Sequence, residues 1–349
     1  MSEQVPTPEP TPEPAVVNPA VAPAPSPMRR FLSGGVGRNL GLVIALLLIV
    51  AAGAFTAGDR FTNIDNALTI IRFASVIGVI SIGMTFVITA GGIDLSVGSV
   101  MGLSTVVATI AGVQAAADSS SWLLMVLVAL AVGSAAGLVN GVVIAYGRVV
   151  PFMATLAMLV AARGLAELIS NKQTLIINVT PFKEFFRSDL LGIDWLIWFF
   201  VIAAAVGWFL LSRTTFGRRT VALGGNFEAS RLAGIKVKRH TVLLYVLAGL
   251  AAGIAGVMML GRTGVGTSTH GLLYELDAIA AVVVGGTLLI GGRGTIMGTV
   301  LGVLIFSTLT NVFTQNNLST SVQAVVKGAI IVVAVLLQQR FAARGVRSG

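Results

Sequence analysis

The 349-residue chain is 55% hydrophobic and only 11% charged, with 41 Gly and no Cys, an apolar share beyond that of soluble domains. A soluble enzyme is thereby excluded. The net charge of +9 would suit nucleic acid if the basic residues formed one surface, but they sit between long apolar runs, which excludes that partner. Two His and no Cys leave little for metal or triad chemistry.

Residues 1–28 hold most of the eleven prolines, three Glu and no Lys or Arg, a composition that cannot bury enough surface to offset ordering entropy. Residues 1–38 are therefore expected to be a disordered cytoplasmic tail with a basic flank. Arg29, Arg30 and Arg38 precede the apolar stretch Leu40–Ala57, which reads as an uncleaved first span rather than a signal peptide. Hydropathy then places spans near 40–57, 68–90, 94–112, 122–146, 151–170, 195–212, 242–262, 277–291, 294–312 and 322–338. The expected fold is thus an all-α polytopic membrane protein of about ten transmembrane helices, with a transmembrane domain at 39–340 and a short cytoplasmic tail at 341–349. With the amino terminus inside, fifteen of the 23 Lys and Arg fall in inner segments, five in outer segments and three within spans, as the positive-inside rule requires.

Glycines recur at four-residue spacing, at Gly98 and Gly102, Gly133, Gly137 and Gly141, Gly249 and Gly253, and Gly294, Gly298 and Gly302. Such stripes allow close helix approach in lipid; a glycine-lined pore is the alternative. Residues 82–102 and 284–302 share a Thr (Thr85, Thr287), a Gly pair (Gly91 and Gly92, Gly291 and Gly292) and two later Gly, which suggests an internal repeat of the transporter kind. Within the fifth span, Arg163 and Glu167 stand at i,i+4 and can neutralise each other. Arg72 and Lys327 lie near the outer boundary and can snorkel.

The inner segment 213–240 carries seven basic residues. After Gly224 and Gly225, Asn226 is a good N-cap, and Phe227, Leu232 and Ile235 alternate with polar residues up to Gly234, so one short amphipathic helix is expected to end there. Such a helix has the form of a peg that enters a partner's groove; a loop lying on lipid headgroups is the alternative. Hydrogen-bonding groups inside spans, Thr85, Asn140, Thr155, Asn311 and Gln323, are candidates for a polar path through the bundle. Interhelical hydrogen bonds are their competing role.

Glu228-Ala229-Ser230 followed by Gly234 resembles the E-A-A-x-x-x-G loop of ABC importer permeases, and Gly91-Gly92-Ile93-Asp94-Leu95-Ser96-Val97-Gly98-Ser99 resembles the hallmark of the ribose-type sugar permeases. Ser230 replaces the usual Ala, one small residue for another. The resemblance spans roughly Arg38 to Arg340. It implies a homodimeric permease for a ribose-like pentose, hexose or small polyol in the bacterial cytoplasmic membrane, with both termini cytoplasmic. It further implies two ATP-binding subunits on the cytoplasmic loops, an extracytoplasmic sugar-binding protein, and ATP and Mg held by the partner subunit rather than by this chain. Glu228, Ala229, Ser230, Arg231 and Gly234 would meet the ATPase. Gly91, Gly92, Asp94, Ser96 and Gly98 would form a gating element, in which Asp94 caps the next helix, gates, or touches sugar. Two rivals remain: an ion-coupled secondary transporter, which generally needs buried carboxylates beyond Glu167, and a membrane-embedded enzyme, which needs a nucleophile, a carboxylate pair or a metal set that the sequence lacks. No G-x-x-x-x-G-K-[ST] occurs, so hydrolysis belongs to a separate subunit.

Overall fold

The computed structural model describes residues 35–346, so the expected Pro-rich tail lies almost wholly outside the described residues. Apolar stretches of about 20 residues give the long helices: α1 (Gly35–Ala57), α3 (Ile64–Thr89) after the four-residue α2 (Asp59–Thr62), α6 (Leu123–Ala145), α7 (Pro151–Ser170), α9 (Trp195–Arg213), α12 (Val237–Thr263), α14 (Ile296–Gln315) and α15 (Thr320–Val346). Shorter helices are α4 (Val97–Ala108), α5 (Ala111–Ser119), α8 (Thr180–Arg187), α10 (Thr215–Gly225), α11 (Phe227–Leu232) and α13 (Tyr274–Val284). Two-residue strands β1 (Leu175–Ile176) and β4 (Val265–Gly266) pair antiparallel, as do β2 (Asp189–Leu190) and β3 (Ile193–Asp194).

Among the described residues, seven helices are long and apolar enough to cross a membrane, and α4 with α5, bent by 59° at their junction, would make an eighth span. Of the ten expected spans, 94–112 falls on this bent pair and 322–338 lies within α15. The segment 277–291 is cut short. Helix α13 stops at Val284, because Gly286, Gly291 and Gly292 take positive φ in the reversal that follows. Its eleven residues cover about 16 Å, half of a hydrocarbon core.

Helices α3 and α6 end, and α12 and α14 begin, at one end of the bundle, the loop end, which carries α10 and α11; the opposite, sheet end carries β1 to β4. Apolar residues fill the core and also cover the outer faces. Helices α3 and α12 are about two-thirds buried, whereas α1 is 11% buried and α7 22%, so the central helices meet protein and the peripheral ones present Leu and Val to lipid. Helix α12 lies against α6, α3 and α4, and α14 against α1, α3 and α13. The glycine stripes are packing seams. A Cβ on Gly249 would stand 2.9 Å from Gly137 Cα, and one on Gly253 3.0 Å from Leu130 Cα, so α6 and α12 touch backbone to backbone.

The suggested repeat brings its two reversals side by side, with Gly91 next to Gly291. Their arms differ. A 26-residue helix precedes the first reversal and a 12-residue one follows it, whereas 11 residues precede the second and 20 follow. Accordingly Thr85 sits in α3, while Thr287 sits in the turn after α13.

Candidate functional site

At the loop end the expected peg is present. Asn226 Oδ1 accepts from Ala229 N at 2.9 Å, α11 runs Phe227–Leu232, and Gly234 takes φ 81° to stop it, the left-handed C-terminal position that favours glycine. Glu228 and Arg231 form an exposed ion pair at 2.9 Å. Phe227 and Leu232 are exposed, while Ser230 is buried, so the small side chain at 230 lets α11 lie close to its support. The apolar face is available to a partner.

What the sequence did not disclose is α10. Thr214 caps it by accepting from Gly217 N at 3.3 Å, and Thr220 Oγ1 lies 2.9 Å from His240 Nε2 on α12. The Phe216 ring packs tilted against Phe86 of α3, with centroids 6.0 Å apart. The segment 213–240 is therefore not one loop but a helix, a peg and the start of α12, clamped to the bundle. Where α10 ends, three glycine pairs converge. Gly292 N donates to Thr89 O at 2.8 Å. Gly224 is so close to both that a Cβ on it would stand 2.5 Å from Gly292 N and nearer still to Thr89 O. Gly291 in turn sits against Gly91 N and Gly224 O. The recurrence of Gly-Gly at 91, 224 and 291 was the sequence signal for this junction.

From Gly91, at φ 83°, the chain runs back without helical structure to Ser96, and three helices hold it. Asp94 Oδ1 accepts from Ser96 N at 2.9 Å and from Ser96 Oγ at 2.6 Å, and Ser96 Oγ accepts from Asn140 Nδ2 of α6 at 2.9 Å. Thr155 of α7 and Tyr245 of α12 each donate to Ile93 O at 3.4 Å. Asp94 is thus a buried turn former at the start of α4. Its partners are Ser96 and, through Ser96, Asn140. Asp94→Ala removes the acceptor for both Ser96 bonds, at a cost of about 1–2 kcal/mol. The expected result is near-normal membrane levels by immunoblot with uptake reduced about tenfold; loss of inserted protein would instead make Asp94 an assembly residue.

Gly98 abuts Gly271 and the buried Glu275, where the N-termini of α4 and α13 approach. The segment 267–273, a run of turns, descends along α4, with Thr105 Oγ1 donating to Thr267 O at 3.3 Å. Arg163 does not pair with Glu167. It donates to Ser268 O and, at 3.0 Å, to His270 O, because non-helical backbone at this depth needs internal donors; Glu167 instead faces Lys172 at 3.7 Å. Arg72 pairs with Asp194 at 3.0 Å and Lys327 with Asp277 at 3.2 Å, so neither relies on snorkelling alone.

The five path candidates separate. Thr85 Oγ1 lies 2.7 Å from Thr299 Oγ1, fully buried between α3 and α14, and Asn140 and Thr155 are committed to the 93–96 segment. Gln323 donates to Leu318 O at 3.0 Å. Only Asn311 lines a cavity, of about 590 Å³, between α3, α13, α14 and α15 toward the sheet end. There Asn311 and Asn66 exchange carboxamide hydrogen bonds at 2.8 and 3.0 Å, and Gln315 Nε2 donates to Asn66 Oδ1 at 2.9 Å. Phe73, Phe306 and Tyr274 complete the walls beside the Asp277–Lys327 pair. Asn66, Gln315 and Tyr274 were missed, since their sequence neighbourhoods resemble helix ends rather than a site.

The family described as branched-chain amino acid transport system / permease component matches residues 66–335. The chain is 39% identical over 303 residues to the ribose import permease protein RbsC of Escherichia coli K12, covering 85% of this chain and 92% of that one. It is 40% identical over 314 residues to RbsC of Bacillus subtilis, covering 89% and 96%. With the L-arabinose ABC transporter permease protein AraH of Azospirillum brasilense it shares 36% over 309 residues, covering 88% and 90%. No solved structure matches. With its bundle of apolar helices, exposed peg and glycine junction, the chain belongs to the branched-chain amino acid transport system / permease component family and is a membrane-spanning transport subunit.

Proposed function

We propose that the chain is the permease of an ATP-driven importer for a monosaccharide, working as a homodimer with two ATP-binding subunits at the loop end and a sugar-binding protein at the sheet end. The observation that carries the reading is α11, a capped, glycine-terminated peg whose apolar face has no support of its own and whose root joins both chain reversals. Relatives named for ribose and L-arabinose transport supply the substrate class. The cavity around Asn66 and Asn311 suits it, since carboxamides and aromatic faces match the hydroxyls and apolar faces of a pyranose or furanose. ATP and Mg would be bound by the partner, whose rigid-body motion would pass through α11 to Gly224. Asp94, Gly91, Gly92, Ser96 and Gly98 then form the element that moves or resists moving. The 15 to 5 charge asymmetry supports a cytoplasmic position for both termini and the loop end.

Sidedness is tested by single Cys residues at the exposed positions 178 and 229 on the Cys-free chain. A membrane-impermeant maleimide on intact cells should label 178 and spare 229, and the reverse pattern would refute the orientation. Coupling is tested by Glu228→Arg, which reverses a charge in the first turn of α11, and by Gly234→Val, which places a β-branched residue at φ 81°. Both should insert normally and lose at least tenfold of ATP-dependent uptake in proteoliposomes containing the ATPase. Normal uptake by both variants would reduce α11 to a solvated surface.

A further inference from the structure

A second cavity, of about 1040 Å³, opens at the loop end between the α6–α7 connection, α11 and the start of α12. Five basic residues line it: Arg148, Arg231, Lys236, Lys238 and Arg239, with Glu228 the acid among them. Glu228 is engaged by Arg231. Among the described residues the other four form no ion pair. Charge bias alone would scatter such residues along the loops, but here two separate connections deliver them to one hollow. Arg148 holds φ 55°, uncommon for a residue with a side chain, and Lys238 lies 5.3 Å from the Tyr146 ring. The rim is apolar and exposed: Tyr146, Val149 and Val150, continued along α7 by Phe152 and Met153.

We propose that this cavity binds the headgroup of an anionic phospholipid, its phosphate among Arg148, Lys236, Lys238 and Arg239 and its acyl chains along Val150, Phe152 and Met153. A small soluble anion would use the cations but not the rim. Lipid uses both, and basic pockets between spans at a membrane face are of the kind that take lipid headgroups. Because α11 forms one wall, an occupied cavity would brace the peg from the membrane side. The site does not depend on which partner α11 meets or on the identity of the sugar.

Native mass spectrometry of the full chain in detergent, titrated with dioleoyl phosphatidylglycerol or dioleoyl phosphatidylcholine, tests the proposal. Phosphatidylglycerol should be retained preferentially, and R148Q/K238Q should weaken its retention about 30-fold, at roughly fivefold per charge removed. K236Q and R239Q singly should each show about fivefold, which keeps the test informative if the double variant folds poorly. Exchange of Lys172 and Lys183 for Gln at the sheet end should change nothing. Equal retention of both lipids, or retention unaffected by the loop-end variants, overturns the site. So does displacement by millimolar inorganic phosphate, which would mark a small-anion site, or release on adding the purified ATPase, which would assign the cavity to that subunit.

Discussion

Replacing Gly224 by alanine is expected to abolish ATP-coupled uptake while leaving the protein in the membrane. The added methyl would fall 2.5 Å from Gly292 N and closer to Thr89 O, both backbone atoms that no rotamer change can move aside. Overpacking of this kind costs about 1–3 kcal/mol, and the cheapest relief is for the end of α10 to swing away from the two reversals. Thr220 and Phe216 would still hold the other end of α10 to α12 and α3, so insertion is spared. Uptake in proteoliposomes should fall between ten- and a hundredfold, with the ATPase still co-purifying. Gly225→Ala serves as the control, because a Cβ there meets open space. Equal uptake by the two variants would mean that motion of α11 does not pass through the glycine junction.

The largest loss of protein itself is expected from Gly249→Leu. Helices separated by ordinary side chains lie roughly 8–10 Å apart, whereas α6 and α12 approach until the Cβ position of Gly249 lies 2.9 Å from Gly137 Cα. Four leucine carbons cannot enter that seam without parting the helices along Gly133, Gly137, Gly249 and Gly253. In lipid little hydrophobic force opposes the parting, since the exposed faces would meet acyl chains as readily as each other. Membrane levels should drop severalfold and the extracted protein should aggregate on size exclusion. Gly249→Ala should sit between wild type and leucine. A monodisperse, stable leucine variant would show that the seam is not what holds these helices.

Much of this architecture is legible in the sequence because lipid imposes simple rules: spans must be long and apolar, cations collect on one side, and close helices need small residues. The same rules mark Asn226 and Gly234 as the ends of α11. What escaped has a common cause. Helix α10 is polar and short, so hydropathy cannot separate it from loop, and its role rests on Gly224 meeting residues 65 or more positions away. Arg163 was matched with Glu167 by helical spacing, yet its partners are carbonyls of Ser268 and His270, exposed only because that segment is not helical. The cavity depends on Asn66 meeting Asn311 across 245 positions, a pairing that no local pattern encodes. Thr85, Asn140 and Thr155 were singled out for a path because they are polar groups within spans; in the structure Thr85 bonds across to Thr299, and Asn140 and Thr155 hold the 93–96 segment.

The half-length helix α13 also bears on how the protein is made. Emerging from the ribosome, α1 carries enough continuous apolar surface to partition into the bilayer alone. Eleven residues that include Glu275 and Asp277, preceded by a run of turns at 267–273, do not. Their exposed carbonyls and carboxylates would be stranded in hydrocarbon. They can enter only where Arg163, Thr105 and Gly98 already wait to receive them, and the order of synthesis provides this, since α3, α4, α7 and α12 all precede α13. Entry of α13 is therefore templated, and a truncation that removed the early helices would leave it without a route into the membrane.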